Sequence, residues 1–227
     1  MARTQGAPVA VATGATEDAA TGGETPLGAG LGLWAGVLTA AAVIGWSAQH
    51  RPIQVLHLAG PGPRVLVVGC IHGNECEGMV VVNALLRTHP NEDLWLLPDL
   101  NPDGYDIRRR FNANGVDLNR TFPNGRQPET RVAVALIKRI RPDVTIWFHQ
   151  AENRVRAWGG SEAVAGRYAR LSGMRYASVK WPSGAATRWQ NTALGEKSFV
   201  VELPAESLDP WQIQAQVRAV LGVAARG

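Results

Sequence analysis

The sequence predicts an α/β domain, in which a mixed, mainly parallel twisted sheet is covered by helices on both faces. Apolar, Val-rich runs of strand length alternate along the chain with amphipathic stretches of helix length. Parallel strands need a crossover connection, and a helix usually supplies it. The alternation therefore favours a mainly parallel sheet.

Residues 44–58 have strand character, and four strands and four helices are predicted after them in chain order. Runs such as RVLVVGC have no polar alternation, which is typical of strands buried on both faces. Pro90 ends the first helix and Pro128 lies near the start of the second, while Ser161 and Gly173 delimit the third. The NPDG stretch at 101–104 is a good turn former. The predicted strands are 64–70, 93–100, 143–150 and 197–204, and the predicted helices are 75–90, 128–142, 161–173 and 209–227.

Ahead of this pattern lie two segments of different character. Residues 1–26 are rich in Ala, Thr and Gly and are predicted to be a disordered, low-complexity leader. Residues 27–43 are apolar and uncharged. This segment could be a signal-peptide h-region, a membrane anchor, or part of the fold. The stretch is shorter than the ~20 residues of a membrane-spanning helix, and Ala40-Ala41-Ala42 offers a cleavage site.

The expected location follows from that segment. We expect a bacterial protein that is exported or associated with a membrane through 27–43, and a start codon placed too far upstream would instead make it cytoplasmic. The globular domain is predicted to span 44–227. The two cysteines, Cys70 and Cys76, would form a bridge after export or stay reduced inside a cell.

Charge and cysteine usage exclude some classes of function. The 23 Lys and Arg are interspersed with 19 Asp and Glu, and the densest basic run, 108–110, is too short for a nucleic-acid surface. No nucleic-acid partner is therefore predicted, and small anionic groups fit the basic residues better. The absence of a CxxC pair argues against a thiolate zinc site.

Polar residues follow the predicted strands where parallel strands place their sites. His72 and Glu75 follow the first strand, and His149 lies in the third. Two imidazoles and a carboxylate are the ligand set of a hydrolytic zinc site with one open position. Glu202, in the fourth strand, could act as general base on metal-bound water.

Each of these residues also has a plain structural explanation. A His at a strand end is more often a hydrogen-bonded residue than a ligand, and H-x-x-E alone occurs by chance in many proteins. Yet Glu202 and His149 sit inside apolar strands, where a polar group is costly unless it is paired or bound to a metal. Together the four residues outweigh the structural explanation, although none of them does so alone.

The segment 100–123 concentrates fixed hydrogen-bond donors in a Gly-punctuated loop. Guanidinium groups pair with carboxylates through two parallel hydrogen bonds, and amides add further donors. The loop therefore suits a substrate that ends in a free carboxylate. Its polar residues are Arg110, Asn112, Asn114, Asp117, Asn119 and Arg120.

These motifs together resemble the zinc carboxypeptidases of the carboxypeptidase A type. The resemblance rests on HGNE, NPDGY, R-x-N-x-N-G-V-D-L-N-R-x-F-P, a strand-terminal His and VELP, and it extends from about residue 44 to 204. It implies a zinc carboxypeptidase-like catalytic domain with one Zn²⁺ per chain. By motif, His72, Glu75 and His149 would bind that zinc.

The resemblance also implies roles for the other residues. Arg110 would polarise the scissile carbonyl, and Asn119 with Arg120 would hold the terminal carboxylate of a peptide substrate. Glu202 would be the general base and later the proton donor to the leaving amine. Asp117 would orient a zinc-bound His.

The chain departs from this family in its specificity region. The capping tyrosine of the family falls at Lys180, and the position that selects the C-terminal side chain becomes Thr187, next to Arg188. The domain is also short, and in this it resembles the compact bacterial murein-peptide amidases. Those enzymes release diaminopimelate, whose extra carboxylate could meet Arg188 or Lys180.

Two other functions remain as alternatives. An aspartoacylase or succinylglutamate desuccinylase-like deacylase shares H-x-x-E and DLNR-x-F, and it would act on N-acyl amino acids with the same metal site. NPDGY and R-x-N-x-N-G-V favour the peptidase. A non-enzymatic binding protein is disfavoured because all three ligands and the base are present.

Overall fold

The computed structural model describes residues 38–88 and 90–225, which form one eight-stranded sheet with helices packed against it. Across the sheet the strands follow the order β1-β2-β4-β3-β5-β8-β6-β7. The strands are β1 (Leu38–Trp46), β2 (Pro52–Leu58), β3 (Val65–Val68), β4 (Leu94–Leu97), β5 (Val144–Gln150), β6 (Arg154–Ala157), β7 (Arg175–Ser178) and β8 (Lys197–Leu203). The helices are α1 (Gly78–Thr88), α2 (Pro102–Asp106), α3 (Pro128–Ile140), α4 (Glu162–Ser172), α5 (Ala186–Trp189) and α6 (Pro210–Ala224).

The centre of the sheet is parallel, as predicted. Neighbours β4, β3, β5 and β8 all run in one direction, whereas β2 pairs with β4, and β6 with β8, in antiparallel orientation. These four central strands are the four that the sequence predicts. All four residues of β3 are buried, because helices cover both faces of the sheet there.

Side chains of the central strands alternate between two apolar cores, one on each face. Val67, Phe148 and Val201 belong to the core that α1, α4 and α6 cover. Leu66 and Trp147 belong to the core beneath α3 and α5. This period of two is the ordinary consequence of the strand pleat, and it confirms the predicted α/β architecture with helices on both faces.

The edges of the sheet differ from the predicted pattern. Strand β1 begins at Leu38, so residues 38–43 of the apolar segment pair with β2, with Ala42 opposite Val55. The sheet thus starts before residue 44, since these apolar residues satisfy their backbone groups in the β1–β2 ladder. The rest of 27–43 and the whole leader lie outside the described residues. Within the described part of the chain, no helix is long and apolar enough to cross a membrane.

Helix α2 occupies the predicted turn at 101–104. Pro102 starts the helix, and the side chain of Asn101 accepts a hydrogen bond from the backbone N–H of Gly104 at 3.1 Å. A proline in the first turn needs no hydrogen-bond partner for its nitrogen, so NPDG caps a short helix as readily as it makes a turn.

Two buried carboxylates tie the β1–β2 connection to the rest of the domain. Asp103 accepts hydrogen bonds from Ser47 Oγ at 2.7 Å and from the backbone N–H of Gln49 at 3.0 Å. Glu129 accepts from the backbone N–H of Ala48 at 2.9 Å and from Asn112 Nδ2 at 3.0 Å. Glu129 therefore connects the β1–β2 turn to the loop that carries Arg110.

We expect Glu129→Ala to lower the free energy of unfolding by about 2 kcal/mol, because the buried amide of Asn112 and the partly buried N–H of Ala48 both lose this acceptor. Urea unfolding measures the change, and the matched control is Glu206→Ala at an exposed position, which should stay within about 0.5 kcal/mol of the original protein. Equal unfolding free energies for the two variants would contradict the structural role of Glu129.

Candidate metal centre

The polar residues that follow the central strands meet at the C-terminal edge of the parallel sheet. The chain leaves β3 through an elbow at 69–77, before α1 begins. At Gly73 the elbow presses on the first turn of α2: a Cβ atom there would lie 1.9 Å from the carbonyl carbon of Gly104. Only glycine permits this approach, and the elbow turns back so that Glu75 lies beside His72.

A disulfide closes the same elbow. The sulfurs of Cys70 and Cys76 are bonded, and their Cα atoms are 4.6 Å apart, within the distance that a bridge requires. The bond encloses the segment that contains both His72 and Glu75.

His72, Glu75 and His149 form a compact group of potential metal ligands. Nδ1 of His72 and Nδ1 of His149 each lie 2.9 Å from Oε2 of Glu75. One ligand atom from each of the three residues lies within 4.8 Å of the others, and all three residues are buried. Two imidazole nitrogens and a carboxylate oxygen are a donor set that suits a divalent cation such as zinc, so the residues fit the metal that the sequence predicts.

The charges of the group favour a cation. Burial raises the pKa of Glu75, but hydrogen bonds to His149 and His72 outweigh it and hold the pKa well below the usual range. Burial lowers the pKa of His149, whereas hydrogen bonds to Asp117 and Glu75 overcome burial and raise the pKa of His72. The ionised carboxylate between two imidazoles attracts positive charge to this position.

Asp117 and Arg110 surround the group. Asp117 Oδ1 lies 3.0 Å from Nε2 of His72. Because an ionised carboxylate can only accept a hydrogen bond, Nε2 carries the proton, and Nδ1 of His72 is left as the ligand atom. Arg110 donates from Nη1 to Oε1 of Glu75 at 2.6 Å, and from Nε and Nη2 to Oδ2 of Asp117 at 3.1 and 3.0 Å. Burial opposes ionisation of Asp117, but His72 and Arg110 lower its pKa.

The ligand group opens into a cavity of about 340 Å³. Asn119 and Arg120, predicted to hold a substrate carboxylate, line it, and the backbone N–H of Ala186 fixes Asn119 by donating to Oδ1 at 3.0 Å. The lining residues are His72, Glu75, Arg110, Asn119, Arg120, His149, Gln150, Ala151, Glu152, Arg156, Trp181, Pro182, Val200 and Glu202.

Glu202 reaches the cavity from β8, where it lies opposite His149 of β5. Burial, together with the charges of Glu152 and Glu75, raises the pKa of Glu202 to about 7, although Arg156 opposes the shift. A carboxyl group with this pKa can exchange protons near neutral pH, which is the property that a general base needs.

The structure places the predicted specificity residues elsewhere. Neither Thr187 nor Arg188 lines the cavity. Thr187 is buried in α5, while Arg188 is exposed and donates from Nη1 to the carbonyl of Trp181 at 3.3 Å. The Nζ atom of Lys180 lies over the ring of Trp158, 5.4 Å from the ring centroid. Neither Arg188 nor Lys180 lines the cavity that contains the metal ligands.

Glu152, Arg156 and Trp181 are among the cavity residues that were not predicted. The period-two pattern of RVRA at 154–157 is a signal that could have found the arginine, since it directs Arg154 and Arg156 to one side of a strand. Pairing with β8 decides which side, and the sequence does not reveal that pairing.

The sequence of this domain matches a known family. A model of the succinylglutamate desuccinylase/aspartoacylase catalytic domain matches residues 61–225. The chain belongs to this family. The matched range contains the three candidate metal ligands as well as Arg110 and Glu202.

This chain is also similar in sequence to carboxypeptidases and to a murein peptide amidase. Carboxypeptidase SOL1 of Arabidopsis thaliana is 33% identical over 136 residues, which cover 47% of this chain and 28% of the relative. Murein peptide amidase A of Escherichia coli (strain K12) is 31% identical over 122 residues, which cover 37% of this chain and 48% of the relative. The alignments thus span less than half of each curated relative.

Solved structures confirm the zinc carboxypeptidase-like fold of this desuccinylase/aspartoacylase-family domain. The crystal structure of murein-tripeptide amidase from Escherichia coli O157 superposes with a TM-score of 0.68 at 22% identity. The superposition covers 84% of this chain and 93% of that chain. The crystal structure of carboxypeptidase A from Helicoverpa armigera superposes with a TM-score of 0.67 at 20% identity, over 82% of this chain and 67% of that chain. The predicted resemblance to zinc carboxypeptidases is therefore confirmed at the level of the fold.

We expect Asp117→Asn to weaken zinc binding about 10- to 100-fold, because it keeps the shape of the side chain but removes the charge that orients His72. Competition with a chromogenic chelator measures the affinity. The control is Asp106→Asn, since Asp106 pairs with Arg51 outside the cavity. Unchanged zinc affinity in Asp117→Asn would remove the orienting role.

We expect Glu202→Gln to stabilise the metal-free protein at pH 8 by about 3 kcal/mol. The folded state raises the pKa of Glu202 from 4.5 to about 7, so the native protein binds this proton more tightly than the unfolded chain. The original protein therefore becomes less stable as the pH rises from 4.5 to about 7. The Gln variant has no such loss, because Gln cannot ionise.

Below pH 4.5 both side chains are neutral, and the difference should vanish. Urea unfolding in the presence of a chelator, at pH 4 and pH 8, tests this expectation. A difference that is the same at both pH values would show that ionisation of Glu202 is not its cause.

Proposed function

We propose that this domain is a zinc-dependent hydrolase that removes the C-terminal residue of a peptide with a free terminal carboxylate. The observation that carries the proposal is that the metal-ligand group, a carboxyl group with a pKa of about 7 and the Asn119–Arg120 pair all line one cavity. Hydrolysis of an amide bond needs a polarised carbonyl, an activated water and a proton donor for the amine, and each has a candidate here.

His72, Glu75 and His149 would hold the zinc. When bound, zinc would supply Lewis-acid chemistry that polarises a carbonyl oxygen and lowers the pKa of water. Asp117 keeps His72 in the tautomer whose Nδ1 faces Glu75. Arg110 places one guanidinium nitrogen against Glu75 at the cavity, where it can stabilise negative charge that develops on the carbonyl oxygen.

Glu202 would carry the proton. It accepts a proton from the attacking water and then gives it to the nitrogen of the leaving amine. Its position in β8 opposite His149 keeps the carboxyl group close to the ligand group. General acid–base catalysis of this kind contributes about 10²- to 10⁴-fold to the rate.

Asn119 and Arg120 would bind the terminal carboxylate of the substrate. The loop around Gly184 supports them closely: a Cβ atom at Gly184, whose φ is +81°, would lie 2.1 Å from the carbonyl oxygen of Arg120. This packing holds the Asn119–Arg120 segment against the loop before α5.

A cell-wall peptide is the substrate that we propose. The superposition with murein-tripeptide amidase covers 93% of that chain, so the two domains are similarly compact, and murein peptide amidase A is a sequence relative. The Cys70–Cys76 bond supports a site of action outside the cytoplasm, where disulfides persist.

A deacylase that acts on N-acyl amino acids is the second candidate. The family match over residues 61–225 favours it. Such a deacylase would use the same metal ligands, so only the substrate separates the two functions.

A substrate comparison on zinc-loaded protein tests the proposal. Murein tripeptide, ordinary peptides with free C-termini, N-succinylglutamate and N-acetylaspartate are offered separately, and release of the free amine is measured. We expect murein tripeptide to be hydrolysed fastest and the N-acyl amino acids to remain intact. Hydrolysis of the N-acyl amino acids alone would establish the deacylase instead.

The role of the base is tested in the same assay. We expect Glu202→Gln to lower kcat at least about 100-fold while zinc content stays at one per chain, because Gln cannot accept the proton. The exposed Glu206→Gln variant should keep the kcat of the original protein. A Glu202→Gln variant with nearly unchanged kcat would assign the base to another residue.

A further inference from the structure

The cavity contains a third arginine for which the proposed mechanism has no use. We infer that Arg156, with the indole N–H of Trp181, binds a second carboxylate carried by the side chain of the substrate's C-terminal residue. The inference rests on the proposed function only in taking this cavity as the substrate site. It names the class of residue that the site accepts, an amino acid with an acidic side chain.

The sheet directs Arg156 into the cavity. In β6, Arg154 lies opposite Glu202 and Arg156 lies opposite Val200 of β8, so all four side chains share one face of the sheet. The intervening Val155 faces the opposite core. Arg156 is therefore presented next to the proposed base by strand pairing and not by a loose loop.

Contacts fix Arg156 in place, but only one of its nitrogens is bonded to carboxylates. Its Nη1 atom alone makes both acidic contacts, to Oε1 of Glu152 at 3.0 Å and to Oε1 of Glu202 at 3.2 Å. Its guanidinium plane lies over the ring of Trp181, with 4.8 Å between Cζ and the ring centroid. An aromatic ring beneath a guanidinium group limits its movement and keeps the charge available.

Two donors at this point lack an acceptor among the described residues. The indole Nε1 of Trp181 and the Nε atom of Arg156 are both buried without a hydrogen-bond partner. Trp181 is 7% exposed and lines the cavity. Buried donors are almost always paired in native proteins, and a carboxylate can serve several donors because its two oxygens offer about four acceptor positions.

The other charged groups of the cavity have different partners. Arg110 is engaged by Glu75 and Asp117, and Arg120 is the candidate for the terminal carboxylate. Glu152, which shares Arg156 with Glu202, also pairs with Arg154 at 3.3 Å. Glu152 can therefore remain with Arg154 when Arg156 turns to a ligand, and Glu202 is then free of its cationic partner.

Binding of free amino acids tests the inference without relying on hydrolysis. Full-length, zinc-loaded protein is titrated calorimetrically with two matched pairs of ligands, L-glutamate against L-glutamine and L-2-aminoadipate against L-norleucine. We expect each diacid to bind at least 10-fold more tightly than its neutral partner. A ratio near one in the original protein would overturn the inference.

Four variants locate the preference. Arg156→Leu should reduce the ratio of diacid to neutral affinity to about one. Arg156→Lys should retain part of the preference, and it keeps the inference testable if the Leu variant does not fold. Trp181→Phe should lower the affinity for the diacid several-fold while sparing the neutral ligand. Arg139→Leu, at an exposed position in the last turn of α3 and outside the cavity, should leave the ratio unchanged. A preference that survives in Arg156→Leu, or that disappears in Arg139→Leu, would refute the role of Arg156.

The outcome is separable from that of the proposed function. If diacids bind preferentially through Arg156 but no peptide is hydrolysed, the hydrolase proposal fails and the second-carboxylate site stands. If peptides are hydrolysed with equal efficiency whether their last residue is glutamate or glutamine, and the binding ratio is also near one, the hydrolase stands and the inference fails.

Discussion

The contact between two glycines is the constraint on which the site depends. Gly73 in the elbow after β3 lies against Gly104 in α2 so closely that a side chain on Gly73 would overlap the backbone of Gly104. This approach lets the chain reverse within a few residues and puts the carboxylate of Glu75 between two imidazoles. Arg110 and Asp117 then pack around that carboxylate, and these contacts position the loop 100–123 that carries both residues.

The sequence predicted the parallel centre of the sheet well because its four strands are continuous apolar runs. It predicted neither β6 nor β7, and it did not place the start of β1, for physical reasons. Strands near an edge are covered on fewer sides, so their side chains alternate or carry charge, as in β6 and in the largely exposed edge strand β7. The alternation in so short a strand is a weak signal, and β1 was hidden inside an apolar stretch that resembles a targeting segment.

The site was predictable to a similar extent. The ligand group, Asp117, Arg110 and Glu202 belong to short motifs, and the structure brings them to one place. Arg156 belongs to no motif, because its position arises from the pairing of two strands that are far apart in the chain. Thr187 and Arg188 were assigned from the family resemblance, and neither residue lines the cavity.

The distances along the chain between the metal ligands have a consequence for folding. His72 and Glu75 are neighbours in one elbow, but His149 joins them only after β5 has paired with β3 across a long stretch of sequence. A metal ion can therefore use all three ligands only in a chain whose parallel centre has formed. Because such an ion binds the native state in preference to the unfolded chain, its binding free energy adds to the cooperativity of the whole domain.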